Sequence, residues 1–95
     1  MINEKLNVSA VNVFGKDCTI KHTDSGITIR VPIEKPENVL TPKYNLDVCK
    51  AKDFSESWVF VMRTAELKPL HIRILLIDKA DPSIVYLEML DGEIM

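Results

Sequence analysis

Three apolar runs in the second half of the chain constrain its fold most, because apolar residues occupy both odd and even positions in each. The runs cover Trp58 to Arg63, Leu70 to Ile77 and Ile84 to Leu90. A strand with one face in solvent alternates apolar and polar residues, so these runs predict strands that are covered on both faces. We expect the second face to be covered either by a helix or barrel wall of the same chain or by another chain.

The first half of the chain has the alternation of ordinary strands. Apolar residues recur at every second position from Ile27 to Ile33, which predicts a strand with one buried face. Pro32 has no N–H to donate, so this strand should lie at a sheet edge or end near that residue. The alternation from Cys18 to Thr23, followed by Asp24-Ser25-Gly26, predicts a preceding strand and a hairpin turn.

A further strand is predicted from Leu6 to Phe14. Its apolar positions shift parity after Ala10, which we interpret as a β-bulge near that residue.

The middle of the chain predicts a loop and then a helix. Glu34 to Leu40 has mixed polarity and contains a proline, as a loop does. Thr41-Pro42 is typical of a helix start, with a hydroxyl residue at the N-cap and proline at the first helical position. We therefore predict a helix from 42 to about 53, with a strand as the alternative because Leu46 and Val48 also fit strand alternation. Its apolar stripe, which leaves Leu46 outside, is formed by Tyr44, Val48, Ala51 and Phe54.

Short connections join the elements of the second half. Turn residues occur at 67–69, at 78–82 and at Asp91-Gly92, and connections this short favour antiparallel neighbours over parallel crossovers. The predicted fold class is α+β. It is a small antiparallel sheet or partly open barrel of about six strands, with one helix between the third and fourth strands. A chain of 95 residues has room for one core, so residues 1–95 should form a single globular domain.

Catalytic and cofactor-binding motifs are not recognisable in the sequence. The glycines, Gly15, Gly26 and Gly92, are too far apart for a phosphate-binding loop, and no Gly-x-Ser-x-Gly motif occurs. Cys18 and His22 are four residues apart, which on a strand is ~13 Å, too far for both to bind one zinc ion. We predict a protein that is not an enzyme and has no metal or cofactor.

The sequence also favours a cytoplasmic protein without a membrane span. Its start, Met1 to Lys5, lacks the basic and then apolar pattern of a secretory signal. The longest apolar runs fall well short of the ~20 residues that cross a bilayer. Cys18 and Cys49 are then expected to be reduced thiols.

These features favour a small protein that binds, and inhibits or neutralises, a protein partner, of the immunity, antitoxin or phage-encoded inhibitor kind. The partner is unidentified, and a second copy of the chain could also cover the apolar strands as a homodimer. Aromatic and arginine side chains anchor interfaces, and a carboxylate adds orientation. The proposed partner-binding residues are Trp58, Phe60, Arg63, Arg73, Tyr86 and Glu88.

The second half of the predicted sheet carries a net negative charge. From residue 75 onward the chain has one lysine against five carboxylates, a net charge of 1 − 5 = −4. Such a surface either stays solvated and discourages edge pairing or docks on a basic partner.

Binding of nucleic acid is the alternative function. The whole chain has a net charge of −2, and residues 1–50 carry seven basic and six acidic side chains, so charge alone argues against a polyanion partner. A small barrel would nevertheless resemble an oligonucleotide-binding fold in outline. The residues of this alternative are Lys21, Arg30, Lys50 and Lys52.

Overall fold

The computed structural model describes residues 2–38, 41–65 and 71–95. Two helices and five strands follow one another in this order: α1 (Ile2–Phe14), β1 (Thr19–Thr23), β2 (Gly26–Ile33), α2 (Pro42–Thr64), β3 (His71–Asp78), β4 (Val85–Leu90) and β5 (Glu93–Ile94). The strands form one open sheet in the order β1-β2-β3-β4-β5. Only the β2–β3 pair is parallel, and the other three pairs are antiparallel.

The α+β class is confirmed, but the predicted arrangement within it is wrong in four respects. Of the two predicted forms, the sheet and not the barrel is present. It is mixed rather than antiparallel, the described residues form five strands rather than about six, two helices replace the single one, and the helix between strands is placed differently. The helix that joins two strands lies between the second and third strands, not between the third and fourth. A crossover of this length returns the chain to the same end of the sheet, and the two central strands are therefore parallel.

The core lies between the two helices and one face of the sheet, called here the inner face. Alternate residues of the central strands point into it, and the helices contribute one stripe each. The fully buried large side chains are Leu6, Ile29, Met62, Ile72, Ile74, Leu76 and Met89.

The β1–β2 hairpin forms as its alternation predicts. Ile27, Ile29, Val31 and Ile33 are all buried, and Thr23 pairs with Gly26 across the turn. The last residue of β2 that pairs with β1 is Arg30, so Pro32 has a neighbouring strand on the β3 side only. The expected open edge at Pro32 is therefore present, although β2 itself is an inner strand.

Helix α2 begins where Thr41-Pro42 predicts. Thr41 is the N-cap and Pro42 the first helical residue. The predicted stripe is confirmed, with Tyr44, Ala51 and Phe54 buried, and Leu46, outside the stripe, is 54% exposed.

The same helix continues to Thr64, and the strand predicted from Trp58 to Arg63 is wrong. Phe54, Ser55, Val59 and Met62 continue the buried stripe at helical spacing. The aromatic and β-branched residues of this segment favour a strand, but here they lie in a helix. Packing of the helix on the sheet overrides their strand preference.

The predicted first strand, Leu6 to Phe14, is also helical. Leu6 and Ala10 are buried, and Val13 and Phe14 pack against the core. This is the i, i+4, i+7, i+8 spacing of a helix face, and the parity shift after Ala10 reflects it rather than a bulge. The helix ends at Gly15, which has φ 95° and donates its N–H to the Val11 carbonyl at 2.8 Å.

The loop predicted from 34 is confirmed through residue 38, and the turn at 78–82 also forms. The predicted turn at 67–69, the start of a strand at residue 70 and the last two residues of the loop lie outside the described residues.

The apolar runs are covered unevenly within the chain. Val59 and Ile77 are buried, Val61, Leu75 and Leu87 are half-buried, and Val85 is 45% exposed. The helices cover the inner face, while the other face, called here the outer face, is mostly polar. One of the three apolar runs belongs to a helix and not to the sheet. The argument that a second chain must cover the sheet is therefore weaker than the sequence alone indicates.

Candidate functional site

A groove separates the C-terminal half of α2 from the turn that joins β4 to β5. It has a volume of about 420 Å³ and combines apolar, acidic and guanidinium side chains. We call it the α2–turn groove; its lining residues are Glu56, Val59, Phe60, Arg63, Leu90, Asp91 and Glu93.

The turn that forms one wall is rigidly held. Asp91 has φ 53° and Gly92 has φ 89°, two consecutive left-handed residues, and this confirms the turn predicted at Asp91-Gly92. The Asp91 carboxylate accepts hydrogen bonds from the Ile72 N–H at 2.8 Å and from His71 Nδ1 at 2.7 Å. The Asp91 N–H in turn donates to the Ile72 carbonyl. These bonds fix the wall to the start of β3.

The opposite wall, α2, approaches the turn closely at a glycine. A Cβ atom placed on Gly92 would lie 2.8 Å from Cγ of Glu56. Deeper in the core, Ser55 Oγ donates to the sulfur of Met89 on β4 at 3.9 Å. These two contacts set the distance between the walls.

Phe60 is the most unusual side chain of the groove. It is 68% exposed, although it belongs to the helix that contributes most buried residues. Arg63 follows it by one turn, and the carboxylates of Glu56, Asp91 and Glu93 lie around the pair. An exposed aromatic ring surrounded by net negative charge suits a cationic segment with an apolar anchor.

The six proposed partner-binding residues do not form one surface. Phe60 and Arg63 line the α2–turn groove on a helix, not on the strand from which they were inferred. Arg73 donates to Glu88 Oε1 at 2.8 Å, and both belong to the outer face. Trp58 is half-buried, stacks at a tilt on Phe54 and donates its indole N–H to Ser9 Oγ at 3.4 Å, joining the two helices.

Tyr86, the sixth, is bonded to a turn. Its hydroxyl donates to Asp78 Oδ2 at 2.9 Å, and the Ala80 N–H donates to the other carboxylate oxygen at 2.8 Å. The Ala80 bond and then the tyrosine bond lower the pKa of Asp78 below its usual value. Loss of solvation, followed by the bond to the carboxylate, raises the pKa of Tyr86.

The four residues of the nucleic-acid alternative divide between two faces. Lys21 and Arg30 lie on the outer face and line an open pocket of about 500 Å³. Lys50 and Lys52 are exposed on α2, on the other side of the sheet, where Lys52 pairs with Glu56 at 3.5 Å.

The cysteines and histidines are dispersed. Cys18 is buried and Cys49 is exposed on α2. His22 donates from Nε2 to the Asn7 side-chain oxygen at 3.0 Å. Within residues 2–38, 41–65 and 71–95, no three His, Cys, Asp or Glu residues form a group that could hold a metal ion.

Sequence reasoning missed five groove residues, because their meeting depends on how α2 lies over β4; they are Glu56, Val59, Leu90, Asp91 and Glu93. The signals that were available are the Asp91-Gly92 turn and the acidic balance of the C-terminal residues.

The chain matches no protein-family model, and no curated protein or solved structure is significantly similar to it. Neither helix in the described parts of the chain is long and apolar enough to cross a membrane.

Proposed function

We propose that this protein binds a protein partner through the α2–turn groove and inhibits or neutralises it without catalysing a reaction. The partner segment presents basic side chains and an apolar anchor. The observation that carries the proposal is the 68% exposure of Phe60 beside three carboxylates.

The exposure of Phe60 supports an interface because a large aromatic side chain gains little by facing water. Interface anchors are enriched in aromatic residues and arginine, and Phe60 and Arg63 supply one of each. The held Asp91-Gly92 turn reduces the entropy that binding would otherwise lose in ordering this wall.

The net charge of the groove indicates the charge of the partner surface. Glu56, Asp91 and Glu93 outnumber Arg63 among the lining residues, and they still do when Lys52, the ion-pair partner of Glu56, is counted with Arg63, so the groove attracts a cationic surface. The acidic C-terminal residues extend this field, which would accelerate association at low ionic strength.

The experiment compares three immobilised baits in host lysate: the unchanged protein, Phe60→Ala and Leu46→Ala. Leu46 is the matched control, an apolar residue of the same helix that is 54% exposed and outside the groove. We expect Phe60→Ala to lose the captured protein and Leu46→Ala to retain it. For the purified partner, Phe60→Ala should weaken binding about 30-fold, the loss typical of an interface anchor.

A functional assay then tests inhibition. Stoichiometric addition of the unchanged protein should reduce the partner's own activity, and Phe60→Ala should fail to do so. Equal capture by all three baits, or an unaffected partner activity, would contradict the proposal. Fractionation of host cells would test the expected cytoplasmic location. Light scattering over a concentration series would show whether a second copy of the chain is itself the partner.

A further inference from the structure

The outer face of the sheet carries a basic pocket that the proposed protein interface does not use. Its floor is formed by Gly26 and Thr28 of β2, whose side chains are absent or small. Lys21 and Thr23 of β1 lie on one side, and His71 and Arg73 of β3 lie on the other.

The strand register aligns these groups in rows. Lys21 is paired with Thr28, and Thr28 with Arg73, so the two cations of this row lie on either side of one small residue. Arg30 occupies the next row of the outer face, two residues along β2 from Thr28. Neighbouring strands are ~4.8 Å apart, so Lys21 and Arg73 flank a space about two strands wide.

Permanent positive charge exceeds negative charge in this pocket. Lys21, Arg30 and Arg73 line it, whereas none of its lining residues is a carboxylate. Three acids lie around it: Glu88 pairs with Arg73, Asp91 pairs with His71, and Asp24 lies in the β1–β2 turn between the lining residues Thr23 and Ser25. Within the described residues, neither Lys21 nor Arg30 forms an ion pair. Lys21 and Arg30 thus lie on this face without a described ion pair, and Arg73 adds a third cation that Glu88 partly neutralises, in a chain whose net charge is −2.

Hydroxyl and imidazole groups complete the pocket. Thr19 and Thr28 supply side-chain hydroxyls, whereas the Thr23 hydroxyl already donates to the Gly26 carbonyl at 3.1 Å and is bonded to Ser25 Oγ at 3.3 Å. His71 donates Nδ1–H to Asp91, so its second ring nitrogen is not used by that bond. Guanidinium groups with two hydroxyl donors match the oxygens of a phosphate, which accept many hydrogen bonds at once.

We propose that this outer-face pocket binds a phosphate group of a nucleotide or of a single-stranded nucleic acid, with Lys21, Arg30 and Arg73 as its cations. The pocket is open along the sheet, so a strand can cross it, and its volume of about 500 Å³ also accommodates a mononucleotide. The proposal is independent of the α2–turn groove, since the pocket shares only Leu90 with it.

The test titrates the protein with inorganic phosphate, adenosine monophosphate and a ten-nucleotide oligouridylate, and follows backbone amide shifts by NMR. Amides of β1, β2 and β3 at the pocket should shift. If the oligonucleotide binds and the two small probes do not, the source is a strand, and if adenosine monophosphate saturates the same amides, it is a nucleotide. No shift with any of the three probes at low ionic strength would overturn the proposal.

Two double variants remove equal charge from different faces. Lys21→Gln with Arg30→Gln should reduce affinity for the binding probe about tenfold or more at low salt. It should also lower the slope of log K against log salt by ~1.4 for a single strand, since each lost contact contributes ~0.7. Lys50→Gln with Lys52→Gln should change affinity less than ~2-fold, because those lysines are on α2, on the side of the sheet opposite the pocket.

A third variant tests the role of Arg73. Glu88→Gln removes its ion-pair partner and should strengthen binding, because the guanidinium becomes available to the phosphate. Equal losses from the two double variants would show general charge attraction and overturn the site. Phe60→Ala should leave phosphate binding unchanged, so this proposal and the proposed function fail independently.

Discussion

Gly26 and His71 are paired in the parallel β2–β3 ladder so closely that no side chain fits at Gly26. A Cβ atom there would lie 2.8 Å from the His71 backbone nitrogen and closer still to its carbonyl oxygen. Because the obstacle is backbone, it can move only if the two central strands separate. Gly26→Ala should therefore lower the free energy of unfolding by about 3 kcal/mol, at the upper end of the range for overpacked sites.

The control for this substitution is Gly15→Ala. Gly15 has φ 95° but no atom within 4 Å of an added Cβ, so only backbone strain of about 1 kcal/mol is expected. Urea unfolding with a constant m value measures both changes. Equal costs at the two positions would show that the close β2–β3 contact does not limit Gly26.

Because residues 58–63 are helical, alanine substitutions at two nearby residues should change stability by very different amounts. Met62 is 2% exposed, so Met62→Ala should cost about 2–5 kcal/mol. Phe60 is mostly in solvent, so Phe60→Ala should change stability by less than about 0.5 kcal/mol. On a strand the two side chains would share one face. Similar losses at both positions in urea unfolding would argue against the helix and against the groove.

The Tyr86–Asp78 hydrogen bond makes stability depend on pH at both extremes. The Asp78 pKa is lowered below its usual 3.8, so its contribution is present above about pH 4 and is lost as pH falls through the folded-state pKa. The Tyr86 pKa is raised above its usual 10.0, so its contribution is present below pH 10 and is lost as pH rises further.

Tyr86→Phe should abolish the alkaline loss and only reduce the acidic one, because the Ala80 N–H still donates to Asp78. Urea midpoints recorded from acid to alkaline pH test this, and NMR titration of the Asp78 carboxyl group reports its pKa directly. An unchanged Asp78 titration in Tyr86→Phe would be inconsistent with the hydrogen bond.

The two cysteines should react with Ellman's reagent in sequence. Cys49 is exposed, whereas Cys18 is buried, and this burial raises the pKa of its thiol and lowers its thiolate fraction. One thiol should therefore react promptly in the native protein, and the second only after unfolding. Cys49→Ser should remove the prompt phase. Two equally fast thiols would contradict the packing of Cys18.

Sequence patterns correctly predicted those elements whose structure depends only on residues close together in the chain. The alternation from Ile27 to Ile33 defines β2, Thr41-Pro42 defines the start of α2, and Asp91-Gly92 defines the last turn. Each depends on a single backbone geometry and needs no knowledge of distant residues.

The predictions were wrong where a segment fits both the period of a strand and the period of a helix, because tertiary packing then decides between the two. Trp58 to Arg63 has strand-forming residues, and only continuity with the stripe through Phe54 and Ser55 places it in a helix. Once these residues are helical, two of the three predicted closing strands remain, as β3 and β4, and the connection between β2 and β3 becomes a crossover.

The candidate sites were predictable in composition but not in arrangement. Phe60 and Arg63 were chosen as interface residues, yet their position beside Asp91 depends on how α2 crosses β4. Likewise, the sequence does not distinguish Lys21 from Lys50. Lys21 lies on the outer face because of the β1 register, whereas Lys50 is on α2, which packs against the inner face.

The parallel ladder at the centre of the sheet also orders the assembly of the chain. Gly26 pairs with His71, 45 residues later, whereas Thr23 pairs with Gly26 across a tight turn. Closing the longer loop costs more entropy, so the β1–β2 and β3–β4 hairpins can form before β2 pairs with β3. Until that join is made, the apolar sides of β2 and β3 face water, and nascent molecules are then most prone to aggregate.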